Sequence, residues 1–274
     1  MRGPQCVRCA GMLASKAKRE GVVRKWAAAF AQTSSAGYPL LYRLVERLPL
    51  CAGCLETMPA IGADICTRCG RDGQQSQLTK WREGEPHPRL CRDCVANAPS
   101  PLRANRSLLR YDEWGREPLG LYKYRGDERL AELFSLLLTI ALYCHYQPKR
   151  IDCLTAVPLH VKRLRERGFN QMELLAARVA VASRIPSRPL LLRTRETKKQ
   201  SQQTGRAARR QGMLGAFAAN AENFGSHFPH RSKPYTILLL DDVYTTGSTL
   251  RECARTIQDS QHAEMYIYSL TIYR

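Results

Sequence analysis

Two adjacent carboxylates followed by a hydroxyl-rich run around one glycine form the most chemically suggestive stretch of the chain, Tyr235-Thr-Ile-Leu-Leu-Leu-Asp-Asp-Val-Tyr-Thr-Thr-Gly-Ser-Thr249. Ile237 to Leu240 make a short, uninterrupted β-favouring run that suits a buried parallel strand. Asp241 and Asp242 therefore stand at a strand mouth. Tyr244, Thr245, Thr246, Gly247, Ser248 and Thr249 then lead into a helical pattern from about Leu250 to Asp259. Such a loop offers a phosphate its backbone N–H groups, its hydroxyls and the positive end of the helix dipole. Acids beside a phosphate cradle make sense if the same ligand also carries hydroxyls for them to accept from, as a ribose 5-phosphate does. A strand–turn–helix corner of another α/β protein, with an incidental acidic pair, is the plainer alternative.

The stretch resembles the phosphoribosyltransferase signature, an aliphatic run followed by Asp-Asp-x-x-Thr-Thr-Gly-Ser-Thr. That resemblance implies that Asp241 and Asp242 hold the ribose 2′- and 3′-hydroxyls of phosphoribosyl pyrophosphate, with Thr245 to Thr249 wrapping its 5-phosphate.

Cysteines supply the second chemical signal. Eight of the eleven form Cys-x-x-Cys pairs: Cys6/Cys9, Cys51/Cys54, Cys66/Cys69 and Cys91/Cys94. In a reducing compartment thiols at this spacing are more often metal ligands than disulfides. The last three pairs are separated by 11 and 21 residues with few large apolar side chains between them. Hydrophobic burial alone could hardly fold such a segment, whereas a structural zinc site contributes about 10 kcal/mol or more. Two Cys-x-x-Cys turns complete one tetrahedral site, so four pairs predict two zinc ions in a double zinc ribbon, with redox-active thiols as the alternative. Cys144, Cys153 and Cys253 fall singly in apolar patterns and read as core residues.

Forty-one residues rich in Ala, Lys and Arg separate the first pair from the second. Val22, Val23, Trp26 and Phe30 there share one helical stripe, which predicts a basic amphipathic helix. It is read as an inserted arm, a nucleic-acid-facing helix or, by default, a poorly packed extension.

Beyond Pro99 the pattern alternates between α and β. Strands are expected at Ser107 to Tyr111, Ile151 to Val157 and Met265 to Tyr273, and helices at Leu119 to Tyr124 and Glu128 to Tyr146 with Asp127 as N-cap. Another helix opens at Gly168 to Glu173, where Asn170 and Glu173 have capping-box spacing. Lys162, Arg163, Arg165 and Arg167 form a basic loop after a strand's C-terminal end, where open α/β sheets bind ligands. The polar, basic run 194–212 reads as a linker or, given its place before the signature strand, an active-site lid.

These features together resemble the ComF family, zinc-ribbon phosphoribosyltransferase-like proteins associated with competence and DNA utilisation. The resemblance covers residues 51–274 and rests on the paired cysteines, Leu121-Tyr-Lys-Tyr-Arg-Gly126, Val157-Pro-Leu159, Arg167-Gly-Phe-Asn-Gln171, Gly215-Ala-Phe217 and the signature. One departure is the long insertion between the first two cysteine pairs. The resemblance implies a type I phosphoribosyltransferase-like α/β fold, an open, mainly parallel sheet flanked by helices with an N-terminal zinc-ribbon module. Expected divisions are an extension at 1–50, the ribbon at 51–97 and the phosphoribosyltransferase-like domain at 98–274. Pro158, Leu159 and His160 resemble a pyrophosphate-binding turn; Arg163, Arg167, Asn170 and Gln171, with Lys198 or Arg206, would complete the site around a diphosphate carrying Mg²⁺.

Three functions follow: a phosphoribosyltransferase with an unidentified nitrogen acceptor, a non-catalytic phosphoribosyl pyrophosphate sensor, or a module handling single-stranded DNA beside the DNA-uptake machinery. No side chain stands out as a base for an acceptor. A net charge of +19 favours polyanionic partners. No apolar run reaches the ~18 residues that span a bilayer, and Met1 to Ala14 lacks a secretory apolar segment, so a cytoplasmic location is expected.

Overall fold

The computed structural model describes residues 5–13, 16–79, 89–96, 100–125, 127–196, 211–224, 228–229, 231–260 and 264–274. Lys198, Arg206, Gly126 and most of the expected lid lie outside them.

Four strands form a parallel sheet in the order β1-β6-β5-β2: β1 (Leu102–Leu109), β2 (Cys153–Ala156), β5 (Tyr235–Val243) and β6 (Met265–Tyr273). Strand β5 is apolar on both faces because helices cover both. Leu238 and Leu240 join the core beneath α6 (Glu128–His145) and α8 (Gln171–Ser183). Ile237 and Leu239 join the opposite core beneath the helix Ser248–Asp259, here α9, and the antiparallel pair β3 (Leu191–Arg193) and β4 (Phe217–Ala219). The expected α/β class with a parallel sheet flanked by helices is what the chain forms.

Strand β1 begins at Leu102, five residues before the expected start, because its polar residues are satisfied inside the sheet. Asn105 Oδ1 accepts from Ser269 Oγ at 2.8 Å, and Ser107 Oγ and Thr271 Oγ1 share a hydrogen bond of 2.6 Å. Along the outer edge of β1 runs the cysteine-rich segment, with Ile61 N donating to Leu108 O at 2.9 Å and Asn105 N to Arg68 O at 2.8 Å.

The basic stretch after the first cysteine pair corrects the expectation of one loosely packed helix. It forms two helices, α1 (Lys16–Ala31) and α2 (Tyr38–Glu46), separated by residues 32–37, with Gly37 as the N-cap of α2 and Pro39 in its first turn. Val23, Ala27 and Phe30 of α1 and Leu41 and Val45 of α2 are buried, most of them in the α6-side core. Arg19 donates to the carbonyls of Glu46, Leu48 and Leu50, satisfying the open C-terminal end of α2. Trp26 Nε1 reaches Leu55 O at 2.8 Å.

Candidate functional site

Strands β2 and β5 are neighbours, with Ala156 opposite Leu240 and Val157 N donating to Leu240 O at 3.0 Å. Their following loops therefore emerge side by side at one end of the sheet. From β5 come Asp241, Asp242 and the hydroxyl loop; from β2 comes Pro158-Leu159-His160, leading into α7 (Val161–Arg167) with its exposed Lys162 and Arg165. Open parallel sheets hold ligands at this end.

The hydroxyl loop is shaped by its own residues. Gly247 has φ +76°, and a Cβ there would lie 2.1 Å from the Tyr244 hydroxyl. Only glycine accommodates both the left-handed backbone and the ring. Tyr244 is buried, and its N–H donates to Tyr273 O at 3.0 Å. Thr246 Oγ1 and Ser248 Oγ hydrogen-bond at 2.8 Å as α9 begins; Thr245 is exposed and Thr249 half-buried.

Asp241 and Asp242 are half-buried, and Asp241 Oδ1 accepts from Asp242 N at 2.9 Å. Burial and the adjacent Asp242 charge push the Asp241 carboxyl up to about 7. Lys123, on α5 (Glu113–Arg125), offsets part of that charge: its Nζ lies 2.7 Å from Asp242 Oδ2. Burial would depress the Lys123 ammonium, but the two carboxylates outweigh it and hold it above its ordinary value. Arg193 approaches from β3; burial and the nearby Arg163 guanidinium lower it, and it acts on Asp241 in turn.

The Arg167-Gly-Phe-Asn-Gln171 motif joins the same network. Arg167 Nη1 donates to Gln171 Oε1 at 3.0 Å, and Gln171 Nε2 donates to Lys123 O at 3.0 Å. Tyr122 OH reaches Gln171 O at 3.0 Å. Asn170 Oδ1 caps α8 by accepting from Met172 N at 3.1 Å. Gln171 and Asn170 are thus occupied in seating Arg167 and α8. Neither Lys123 nor Arg193 carries a sequence signal of this role beyond the Leu121-Tyr-Lys-Tyr-Arg-Gly126 motif around the former.

The eight paired cysteines form two groups, Cys6/Cys9/Cys51/Cys54 and Cys66/Cys69/Cys91/Cys94, each with its Sγ atoms within 4.8 Å of one another. Cys9 and Cys51 are 3.7 Å apart and Cys69 and Cys91 3.6 Å. A tetrahedron of thiolates at Zn–S ≈ 2.3 Å has edges of about 3.8 Å, so the donor sets fit zinc. The first cluster crosses the expected division at residue 50. In the second, the Cys66 and Cys94 side chains, together with Arg274, draw Cys69 far below the ordinary thiol range, and Cys94 is driven up. Cys144, Cys153 and Cys253 are buried, as expected of core residues.

No protein-family profile matches the chain. It is 29% identical over 234 residues to competence protein ComFC of Bacillus subtilis, covering 85% of this chain and 88% of that one. Competence protein F of Haemophilus influenzae is 26% identical over 81% of this chain and 89% of its own. The DNA utilization protein YhgH of Salmonella typhimurium is 28% identical over 81% and 96%. The solved structure of the allosteric regulatory enzyme of purine biosynthesis matches at TM-score 0.31 and 18% identity, over 50% of this chain and 24% of that one. Among the described residues no helix is long and apolar enough to cross a membrane.

Proposed function

We infer from its similarity to competence and DNA utilization proteins that this chain is a member of the ComF family, and we propose that the end of its parallel sheet binds phosphoribosyl pyrophosphate. One observation carries the reading: β5 delivers two carboxylates, a left-handed glycine and a hydroxyl loop to the start of α9, directly beside the turn that follows β2. Asp241 and Asp242 accept from the ribose 2′- and 3′-hydroxyls. Tyr244 to Thr249 enclose the 5-phosphate with backbone N–H groups and hydroxyls. Pro158, Leu159 and His160 line the pyrophosphate, which Arg163 and Arg167 approach as cations; Gln171 holds Arg167 in place and Asn170 caps α8. Mg²⁺ carried by the diphosphate would offset its negative charge.

Transfer from such a ligand requires C1 of the ribose to become oxocarbenium-like as pyrophosphate leaves. The acidic pair sits on the hydroxyl side of that centre and the cations on the departing side, so charge of each sign faces its complement. Catalytic transfer and a sensing role share this binding step; release of pyrophosphate separates them. In the same proposal both cysteine clusters hold zinc, and the divisions 1–50, 51–97 and 98–274 stand with the first cluster shared across the first border.

A second reading is favoured by the meeting of α5 and α7, where Arg167 lies 5.5 Å over the ring of Tyr124, itself 68% exposed; Lys162 and Arg165 of α7 are exposed as well. An exposed ring beside a cation suits single-stranded DNA. Affinity there should fall with salt, its logarithm dropping by roughly 0.7 per neutralised phosphate against log salt.

Isothermal titration with Mg²⁺ and phosphoribosyl pyrophosphate tests the first reading on wild type and on Asp241→Asn with Asp242→Asn. The double variant should lose binding while keeping its circular dichroism; some lowering of the melting temperature is expected because Lys123 loses its carboxylate partner. Binding equal to wild type would mean the loop serves another purpose.

A further inference from the structure

Arg274, directly after β6, touches both the second cysteine cluster and the hydroxyl loop. Its Nε donates to Cys69 O at 3.0 Å and its Nη2 to Cys69 Sγ at 3.2 Å. The other fork of the guanidinium, Nη1, donates to Tyr244 O at 3.2 Å and Thr245 O at 3.0 Å. The same group lies 4.8 Å over the Tyr244 ring. Both ends of this bridge are anchored. Arg274 N donates to Leu109 O at 2.9 Å and Tyr111 N to Arg274 O at 3.1 Å. Cys69 O also accepts from Asn105 Nδ2 at 3.3 Å, and Gly70, at φ +69°, presses against β1 so closely that a Cβ would lie 2.8 Å from Asn105 O.

In a trans peptide the C=O of one residue and the N–H of the next point in opposite senses. Drawing the carbonyls of Tyr244 and Thr245 toward Arg274 therefore turns the N–H groups of Thr245 and Thr246 away from it. These amides belong to the loop that receives a phosphate in the reading above, on which the present inference rests. We propose that Arg274 is a positioning residue that braces the hydroxyl loop against the second cysteine cluster, so that metal in this cluster sets the loop's order and its affinity for a phosphorylated ligand. The metal's contribution is to fix the Cys69 thiolate and knuckle; Arg274 transmits that fixity through two carbonyls. The first cluster provides an internal control. There Arg8 plays a similar local part, donating to Cys54 Sγ at 3.6 Å and to Trp114 O at 3.1 Å, but the bonds of Arg8 lead to α5 rather than to the hydroxyl loop.

The test is hydrogen exchange of peptides spanning 243–249 in the full chain, with zinc content measured alongside. Arg274→Ala should exchange there at least about tenfold faster than wild type, the change that loss of even one charge-assisted bond would give. Arg274→Lys, which keeps the charge but not the fork, should fall between, and Arg8→Ala should match wild type. Unchanged exchange in Arg274→Ala, or equal acceleration in Arg8→Ala, overturns the proposal. If Arg274→Ala does not fold, zinc withdrawal from wild type decides: faster exchange at 243–249 as the second metal leaves supports the brace, and unchanged protection refutes it. In parallel, the dissociation constant for Mg²⁺ and phosphoribosyl pyrophosphate should rise about tenfold in Arg274→Ala. A wild type that does not bind this ligand defeats the phosphoribosyl reading, while exchange still judges the brace.

Discussion

The two four-cysteine clusters have the same ligand chemistry and opposite surroundings. In the first, Cys9 is exposed and Cys51 half-exposed, and the chain between the pairs is the α1–α2 hairpin, whose apolar side joins the α6-side core. In the second, all four cysteines are buried, belong to the α9-side core and contact the hydroxyl loop through Arg274. One cluster closes a long loop onto the body of the protein, and the other supports the proposed binding site. Identical sequence motifs thus acquire different consequences from what packs around them.

The largest expected contrast comes from losing one ligand in each cluster. Cys91→Ser should forfeit much of the roughly 10 kcal/mol that a structural zinc contributes and abolish binding of phosphoribosyl pyrophosphate. Cys9→Ser should leave that binding within about twofold, the sites being independent. Zinc analysis, thermal melting and titration on both variants would reveal it, and equal losses of ligand affinity would erase the distinction. With a chromophoric chelator, zinc release should be biphasic, the fast phase belonging to the exposed first cluster.

Next in size is Gly247→Ala. A left-handed backbone costs a non-glycine residue about 1–2 kcal/mol, and the new methyl meets the Tyr244 hydroxyl. Ligand affinity should fall by about tenfold or more while both clusters keep their zinc. A variant that instead loses metal from the second cluster would show that strain travels the bridge in reverse.

A pH effect sharpens the comparison further, since it belongs to the sheet end alone. Asp241 is held near 7 instead of its ordinary 3.8, so its contribution to folding stability is fully present below 3.8 and lost as pH rises to about 7. Binding that needs the carboxylate should strengthen over the same rise. Lys123→Met removes the cation that pulls Asp241 down, so the midpoint of the affinity–pH curve should move upward by about one unit. A midpoint that stays put or moves down would discount Lys123 as the counter-charge.

The smallest effect concerns the hairpin. Trp26→Phe deletes one hydrogen bond to Leu55 O and should cost about 1 kcal/mol in melting experiments, with ligand binding unaltered.

The strand mouth at Asp241 and the helix after Gly247 were legible because local composition fixes them: an apolar run, then acids, then small hydroxyl residues. The parallel sheet followed from the same alternation. Partners were not legible, because Lys123 lies 119 positions from Asp242 and Arg274 lies 205 from Cys69. Beyond the Leu121-Tyr-Lys-Tyr-Arg-Gly126 motif around Lys123, nothing local marks either residue. The early start of β1 was hidden by Arg103, Asn105 and Arg106, which break an apolar pattern that Ser269 and Thr271 complete from the other end of the chain. The apolar stripe of α1 was legible at Val22, Val23, Trp26 and Phe30, but its packing was not, because the α6-side core that it joins is built from distant parts of the chain.

Strand order also governs when this protein can fold during its synthesis. The strands made first, β1 and β2, never pair with each other; each waits for β6 or β5, and the bond between Ser107 and Thr271 spans 164 positions. A nascent chain that has just passed β2 holds two apolar strands and the helices meant to cover them, but no sheet. Such a chain is exposed to aggregation until β5 and β6 emerge. Truncation before residue 265 would remove an interior strand, so the expected product is a collapsed, insoluble chain instead of a smaller folded one.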